Sequence, residues 1–454
     1  MTDFMHADAI RTLFSTAMSD MYRKEVPLYG ALIDLVRDVN TATLDANPAL
    51  KDQLIATGEL DRLDVERHGA IRLGTAHELS TIRRMFAVMG MFPVSYYDLS
   101  VAGIPVHSTA FRPVEQSSLK RNPFRVFTSL LRLDLIADRA LAAKAEKILA
   151  ERQIVTDKAL ELIDQAEQQG GLTDAQAADF VKEALETFRW HNEATVDAAT
   201  YDQLVAAHRL IADVVSFKGP HINHLTPRTL DIDAVQAQMS ERGITPKLVI
   251  EGPPRRTCDI LLRQTSFKAL DEAVYFQGEP GNHTARFGEI EQRGAALTPA
   301  GRARYDAALA NVRGDAAQEG ANTYTARLEA AFSTIPDDLE TLRAQSLAYF
   351  HYRATGTTFE GSAQSLSDLI LTGALEADPQ VYEDFLPVSA AGIFQSNLGD
   401  KDQSNYGASA NQSAFEIALG AKVIDEMALY ASIEAQSLET ALEQLGQSHL
   451  LKSQ

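Results

Sequence analysis

Apolar residues recur with two different periods along this chain, and the changes of period divide it into blocks. Residues 1–60 read as helical, with Leu32, Ile33, Leu35 and Val36 set among charges. His68 to Leu73 then reads as a strand. Thr75 offers an N-cap, and Glu78 completes a capping box with it. Leu79, Ile82, Phe86 and Ala87 keep the helical period until Gly90 ends it. Val94 to Leu99, Ile104 to Phe111 and Phe124 to Leu131 read as three more strands. The order is β-α-β-β-β.

That order returns further along. Val214-Val215-Ser216-Phe217 leads to a short strand over Asn223–Thr226, and Asp231 or Asp233 caps a helix carrying Ile232, Val235 and Met239. Gly243 ends it, and strands are expected at Lys247–Glu251, Asp259–Gln264 and Thr284–Gln292. Both helices close on Gly-x-x-Pro, at Gly90 to Pro93 and at Gly243 to Pro246. One such tetrapeptide is a weak signal, but its return at the same structural point marks an internal repeat. Between the two units, Thr173 to Gln176 forms a capping box, followed at helical spacing by Ala177, Phe180, Val181, Ala184, Leu185 and Phe188. Trp190 ends that stripe and is expected in the core. Residues 299–350 and 413–445 are helical, and 385–412, rich in Gly, Ser, Asn and Ala, reads as a long loop.

The expected fold is α+β. An N-terminal helical segment (1–63) precedes a first β-α-β-β-β unit (64–130), a helical insertion (131–213) and a second unit (214–298). A helical C-terminal region (299–454) carries the loop at 385–412. The two units would form a curved sheet core between helical termini.

Composition narrows the function. The formal charge of −20 over 454 residues argues against a nucleic-acid surface or an anionic membrane surface. An anionic small molecule entering so acidic a protein needs a local arginine. The single cysteine, Cys258, excludes a disulfide within the chain and fits a reducing cytoplasm. It lies in an apolar strand-like run and is expected to be a buried structural thiol. Met1 to Arg23, interrupted by Asp3, Asp8, Arg11 and Asp20, is neither a signal peptide nor a membrane span. The expected location is cytoplasmic; the oligomeric state is not legible.

The repeat also carries chemistry. His68 opens the first strand of the first unit, and His224 holds the equivalent place in the second. His221 is a neighbouring alternative, but His224 matches the position of His68 ahead of the helix. The last strand of the second unit holds Glu289 and Glu291. These two share a strand face about 6.6 Å apart, so one ion takes only one of them without a bulge. Two histidines and a carboxylate on strands are the donor set of a non-haem iron site. His283, six residues from Glu289 on the same presumed strand, would lie roughly 20 Å away and outside that sphere. Of the chain's eleven histidines the seven others lie elsewhere: His6, His191, His208, His351 and His449 in polar or helical contexts, His77 in a capping sequence and His107 on a strand.

This layout resembles the vicinal oxygen chelate superfamily. In its 4-hydroxyphenylpyruvate dioxygenase branch the carboxylate stands in a Glu-x-x-Gln-Arg pattern, which Glu289-Ile290-Glu291-Gln292-Arg293 matches, selecting Glu289. A closer resemblance runs nearly the whole chain. Arg67–Thr75, Pro220–Thr226, Glu251–Phe267, His283–Gly294 and Leu386–Leu398 are similar to the 2-oxoadipate dioxygenase/decarboxylase family. The resemblance implies Fe(II) held by His68, His224 and Glu289. It implies conversion of 2-oxoadipate and O2 to D-2-hydroxyglutarate and CO2, a late step of lysine breakdown. The partners would be a 2-oxo dicarboxylic acid and O2, with no nucleic acid or membrane. Val388 and Ser389, by the same resemblance, border the substrate. Arg72 follows His68 by four residues on the same strand face, about 13 Å along. Its guanidinium is the candidate for the distal carboxylate of the substrate. Arg255, Arg256, Arg263 and Gln264 belong to another of these motifs and either support the ligands or hold the fold. The alternatives on the same fold are a metal-dependent isomerase or lyase, and a dioxygenase for another 2-oxo acid.

Overall fold

The structure is a computed structural model that describes residues 4–267, 271–284, 286–312, 320–386 and 408–453. Two compact bodies divide the chain. The first comprises Met1–Glu251, Gln264–Gln292 and Phe385–Ile424. The second comprises Gly252–Arg263, Arg293–Asp384 and Asp425–Gln454.

The first body opens with three helices, α1 (Ala7–Glu25), α2 (Pro27–Ala46) and α3 (Pro48–Thr57). Next come β1 (Arg67–Leu73), α4 (Ala76–Val88), β2 (Phe92–Asp98), β3 (Val106–Arg112) and β4 (Arg125–Leu131), with a short helix α5 (Gln116–Arg121) before β4 that the sequence reading lacked. Thr75 caps α4 by accepting from the Glu78 backbone N–H. The expected return bond to Thr75 is corrected: the Glu78 carboxylate accepts from Gly74 N–H at 2.7 Å and pairs with Arg152. Next come the helical insertion, α6 (Arg139–Ala150), α7 (Asp157–Gln169) and α8 (Asp174–Glu186), and a two-residue strand β5 (Glu193–Ala194). The Thr173–Gln176 capping box is formed at the start of α8. Helices α9 (Ala198–Ala207) and α10 (Arg209–Ser216) complete this stretch.

The second unit departs from its expected outline. Val214 to Ser216 end helix α10, where they bury an apolar face, and do not lead into a strand. The strand expected at 223–226 is β6 (Leu225–Pro227), and α11 (Ile232–Gln238) is capped by Asp231 rather than Asp233. Residues 247–251 form no strand; the bridges Pro246–Phe267 and Glu251–Gln264 flank them. The next strand is β7 (Leu262–Ser266), shifted from 259–264. The long strand expected over 284–292 is two elements: a hairpin, β8 (Asp271–Phe276) with β9 (Glu279–Thr284), and a separate β10 (Glu289–Arg293) paired with β7.

The main sheet has the order β2-β3-β4-β1-β6, with β1 parallel to β4 and antiparallel to β6. Isolated bridging continues it: Asn223 accepts from Phe287 N–H, and Thr229 N–H donates to Glu291. Alternation along the strands separates two faces. On one, Ile71, Leu73, Phe111, Val126, Leu130, Leu225 and Ile290 pack against α1, α2, α4, α7 and α8. On the other, Ala70, Ala110, Phe127 and Leu131 pack against α6, α9 and α10. Helices on both faces explain why β3 and β4 are buried along their whole length and show no polar alternation. His68 and Arg72 share the parity of Ala70 and so share the second face.

The second body holds helices at Pro299–Ala310, Ala321–Phe332, Leu339–Ala344 and Glu426–Gln444. It also contains an antiparallel strand pair, Phe350–Ala354 with Leu375–Pro379. The Glu434 carboxylate accepts from Phe350 N–H and ties the last helix to that pair. The reading of Cys258 as a buried strand thiol is corrected here: it lies in a bend, half-buried, where its N–H donates to Asp337. No helix among the described residues is long and apolar enough to cross a membrane.

Candidate metal centre

Three elements deliver the ligand candidates to the second face of the sheet. His68 is the second residue of β1, facing Thr226 across the β1–β6 ladder. His224 immediately precedes β6, and Glu289 begins β10. Two glycines make this approach feasible. A Cβ at Gly69 would stand 2.5 Å from Ile222 Cδ1 and 2.9 Å from the His224 carbonyl oxygen. A Cβ at Gly288 would collide with the Phe267 ring. Only glycine lets the backbone pass this closely beside His68 and Glu289.

The structure brings His68, His224 and Glu289 together, one ligand atom of each within 4.8 Å of the others. Among the described residues, this is the one group of three such side chains able to hold an ion. All three are buried, at 0–1% exposure. Glu289 Oε1 lies 3.0 Å from His68 Nε2 and accepts from Gln264 Nε2 at 3.0 Å and Thr226 Oγ1 at 3.1 Å. Glu289 Oε2 has no hydrogen-bond partner.

Thr226 also settles a tautomer. Its hydroxyl proton goes to Glu289, so its lone pair accepts from His224 Nδ1 at 2.9 Å. His224 therefore carries its proton on Nδ1, and its Nε2 lone pair is left buried without a partner. A bare imidazole nitrogen and a bare carboxylate oxygen buried in one cluster are costly unless something positive satisfies them. The donor set fits a divalent metal ion.

Glu289 and Glu291 meet different nitrogens of one ring. His68 lies between them: Glu291 Oε2 is 2.9 Å from its Nδ1, on the ring edge away from Glu289. A carboxylate on the outer nitrogen of a metal-binding histidine orients the ring and raises its basicity. The electrostatics follow the same layout. Burial pulls the His68 pKa down, but Glu291 and Glu289 outweigh it and hold it above its usual value. Burial takes His224 down to about 4, against a smaller opposing pull from Glu289, so its imidazole is neutral. Burial would raise the Glu289 carboxyl, but the two imidazoles keep it below the ordinary range. Two imidazoles and one carboxylate would hold a dication without fully neutralising it.

Aromatic rings close the surroundings. Phe385 stands edge-on to His68 at 4.9 Å between ring centroids and against Phe127 at 5.4 Å. Phe287 stacks on His224 at 4.8 Å. Arg72, on the same face as His68, donates from Nη1 to Asp213 Oδ2 at 2.7 Å. It contributes to the lowered pKa of His224. Val388 and Ser389 lie outside the described residues, as does most of the loop 385–412.

His221 is not part of the cluster; it packs edge-on against Trp190 and lies 3.4 Å from Asp213. His283 is excluded for a different reason from the one expected: it sits on β9, not on the Glu289 strand, and faces Asp213. Trp190 lies past the end of α8, half-buried, under the Arg286 guanidinium. Of the four motif residues in doubt, Gln264 touches Glu289. Arg256 donates to the carbonyls of Ile335 and Pro336, and Arg263 to that of Pro253, which are roles in holding backbone. Thr226 and Phe385 were missed, and Glu291 was weighed only as a ligand, not as the partner of the outer nitrogen of His68. Thr226 alone had a signal, its place two residues after His224 on an alternating strand.

Fold and cluster together define a protein with a two-histidine, one-carboxylate metal centre built on strands of a mixed sheet. The chain belongs to the 2-oxoadipate dioxygenase/decarboxylase family, whose model matches residues 14–397. It is 59% identical to the 2-oxoadipate dioxygenase/decarboxylase of Pseudomonas putida, over 98% of each chain. It is 57% identical to that of Escherichia coli K12, over 96% of this chain and 98% of the other. Among solved structures it is similar to the Pseudomonas putida hydroxyglutarate synthase in complex with 2-oxoadipate. That match has a TM-score of 0.92 and 58% identity, over 98% of this chain and 100% of the other.

Proposed function

We propose that this chain is an Fe(II)-dependent 2-oxoadipate dioxygenase/decarboxylase that forms D-2-hydroxyglutarate and CO2. The observation that carries the reading is the buried His68–His224–Glu289 cluster with its bare Nε2 and Oε2 atoms, in a chain this similar to enzymes of that name. The reaction balances without another reductant: the six-carbon oxo acid and O2 together contain every atom of the five-carbon hydroxy acid and CO2.

Iron, when held by His68, His224 and Glu289, supplies O2 activation and a docking point for the 2-oxo acid end of the substrate. The protein's own residues do the rest. Glu291, Thr226 and Gln264 hold the three ligand side chains in one orientation, so little reorganisation is needed at the moment of reaction. Arg72 takes the distal carboxylate and is the local cation that a dianion needs in this acidic chain. Phe127, Phe287 and Phe385 keep water from the reacting carbon. Val388 and Ser389 border the substrate in this reading on family resemblance alone.

The test is anaerobic loading with Fe(II), followed by 2-oxoadipate and O2, with hydroxyglutarate and CO2 quantified. One CO2 per O2, and label from ¹⁸O2 in the product hydroxyl, are expected. Turnover that consumes no O2 would instead identify a metal-dependent isomerase or lyase.

A further inference from the structure

A second buried polar cluster gathers around Asp213. Asp213, on α10, is 6% exposed and gathers three side chains. Its Oδ2 accepts from Arg72 Nη1 at 2.7 Å. Its Oδ1 lies 2.9 Å from His283 Nε2 and 3.4 Å from His221 Nε2. His283 is itself oriented, because its Nδ1 meets the Tyr201 hydroxyl at 2.8 Å. The Tyr201 proton goes to Nδ1, so His283 donates from Nε2 to Asp213. Trp190 packs on both imidazoles, edge-on to His221 at 4.6 Å and stacked on His283 at 6.0 Å. Asp213 is thus anchored from α9, β9 and the segment before β6, elements that meet only in the folded chain.

An arginine side chain only 13% exposed needs a counter-charge, but a counter-charge alone does not require this much anchoring. The consequence lies along β1. His68 and Arg72 occupy one face of that strand, about 13 Å apart between their backbones. An unrestrained arginine, with four rotatable bonds, could follow a shorter or longer dianion and would measure nothing. Anchored through Nη1 by a carboxylate that His283 and His221 hold in turn, the guanidinium is kept at one distance from His68. Ser129 lies beside Arg72 in the sheet register and bonds Ser108, both buried, so the floor between the two ends is also set.

We infer that Asp213 is a positioning residue that clamps Arg72 and makes the site a ruler for the chain length of its oxo diacid. The inference rests on the assignment of Arg72 to the distal carboxylate. The six-carbon substrate fits between the metal centre and the clamped guanidinium; the five-carbon and seven-carbon homologues leave its charge-assisted bonds stretched or crowded.

The experiment compares kcat/KM for 2-oxoadipate, 2-oxoglutarate, 2-oxopimelate and the monoacid 2-oxohexanoate. The proteins are the iron-loaded parent, Asp213→Asn, Asp213→Glu, Arg72→Met and the double variant Arg72→Met/Asp213→Asn. Thermal unfolding accompanies each to register misfolding. Asp213→Asn weakens the clamp while keeping its shape. It should lower the preference for 2-oxoadipate over 2-oxoglutarate about tenfold, through KM more than kcat, and leave 2-oxohexanoate unchanged. Asp213→Glu keeps the charge but moves the anchor by one methylene, and should shift the preference among the homologues even if the Asn variant does not fold. In the Arg72→Met background, Asp213→Asn should change nothing further. Unaltered length preference in both Asp213 variants, with Arg72→Met losing its preference for diacids over the monoacid, overturns the clamp but keeps the Arg72 assignment. Arg72→Met retaining that preference overturns both.

Discussion

Thr226→Val tests the reasoning about the metal centre at its most specific point. Valine has the shape of threonine, so the change removes a hydroxyl and leaves the packing in place. Two bonds go with it: the one donated to Glu289 Oε1 at 3.1 Å and the one accepted from His224 Nδ1 at 2.9 Å. The first is charge-assisted, a class worth roughly 1.5–3 kcal/mol. Loss of the second leaves a buried N–H unpaired and frees His224 to adopt the other tautomer, with its proton on the nitrogen that should face the ion. The losses are partly shared by the metal-free protein, so they do not transfer whole to metal affinity. Changes to residues that orient metal ligands typically weaken metal affinity 10–100-fold, which corresponds to about 1.4–2.8 kcal/mol. That is the expected loss here. Anaerobic titration of the apoprotein with Fe(II), or with Co(II) as a spectroscopic stand-in, measures it. Nitrogen NMR of the histidine rings reads the His224 tautomer independently of turnover. Affinity within twofold of the parent, with His224 still protonated on Nδ1, would refute the argument that Thr226 sets that ring.

Glu289→Ala should abolish most iron binding and nearly all turnover, whereas Glu291→Gln should keep a weakened site; metal analysis of the purified variants decides, and the reverse order would show that Glu291 is the ligand. Arg72→Met should retain iron while binding 2-oxoadipate about ten- to a hundredfold more weakly, the size of one charge-assisted pair. Arg72→Lys should rescue only part of this, because an ammonium lacks the planar fork; equal losses for 2-oxoadipate and a monoacid would give Arg72 a structural role instead. Gly69→Ala should destabilise the fold by about 1–3 kcal/mol, as overpacking does, since its Cβ would press on Ile222 and the His224 carbonyl. A denaturant melt checks this, and an unchanged midpoint would refute it.

Some of this was legible from residue order because period-two and helical patterns are local. The four strands and the helix α4 between residues 67 and 131, the Thr75 cap and the Gly90 stop follow from short-range sterics and side-chain hydrogen bonds, and their ends fall within a residue or two of the reading; the short helix α5 does not follow from it. His68 and Arg72 share a face for the same local reason, as every second strand residue must. His224 and Glu289 were legible through the repeat and the family motif, and the sheet brings both beside His68. The second unit was less readable. Its strands are short and joined by isolated bridges, so packing rather than alternation decides where each begins. The hairpin at Asp271–Thr284 moved His283 off the Glu289 strand altogether.

What tertiary structure alone decided is which polar groups meet. Nothing in local sequence tells that Glu291 faces the outer nitrogen of His68, that Thr226 orders the His224 tautomer, or that Phe385 closes over His68 from far along the chain. The same holds for Asp213, an ordinary acidic residue in a helix until the fold sets it against Arg72 and His283. Residue types and periods state which donors exist and which face each occupies. A buried donor's partner is set by long-range packing, because desolvation makes an unpaired group costly wherever it lies in the sequence.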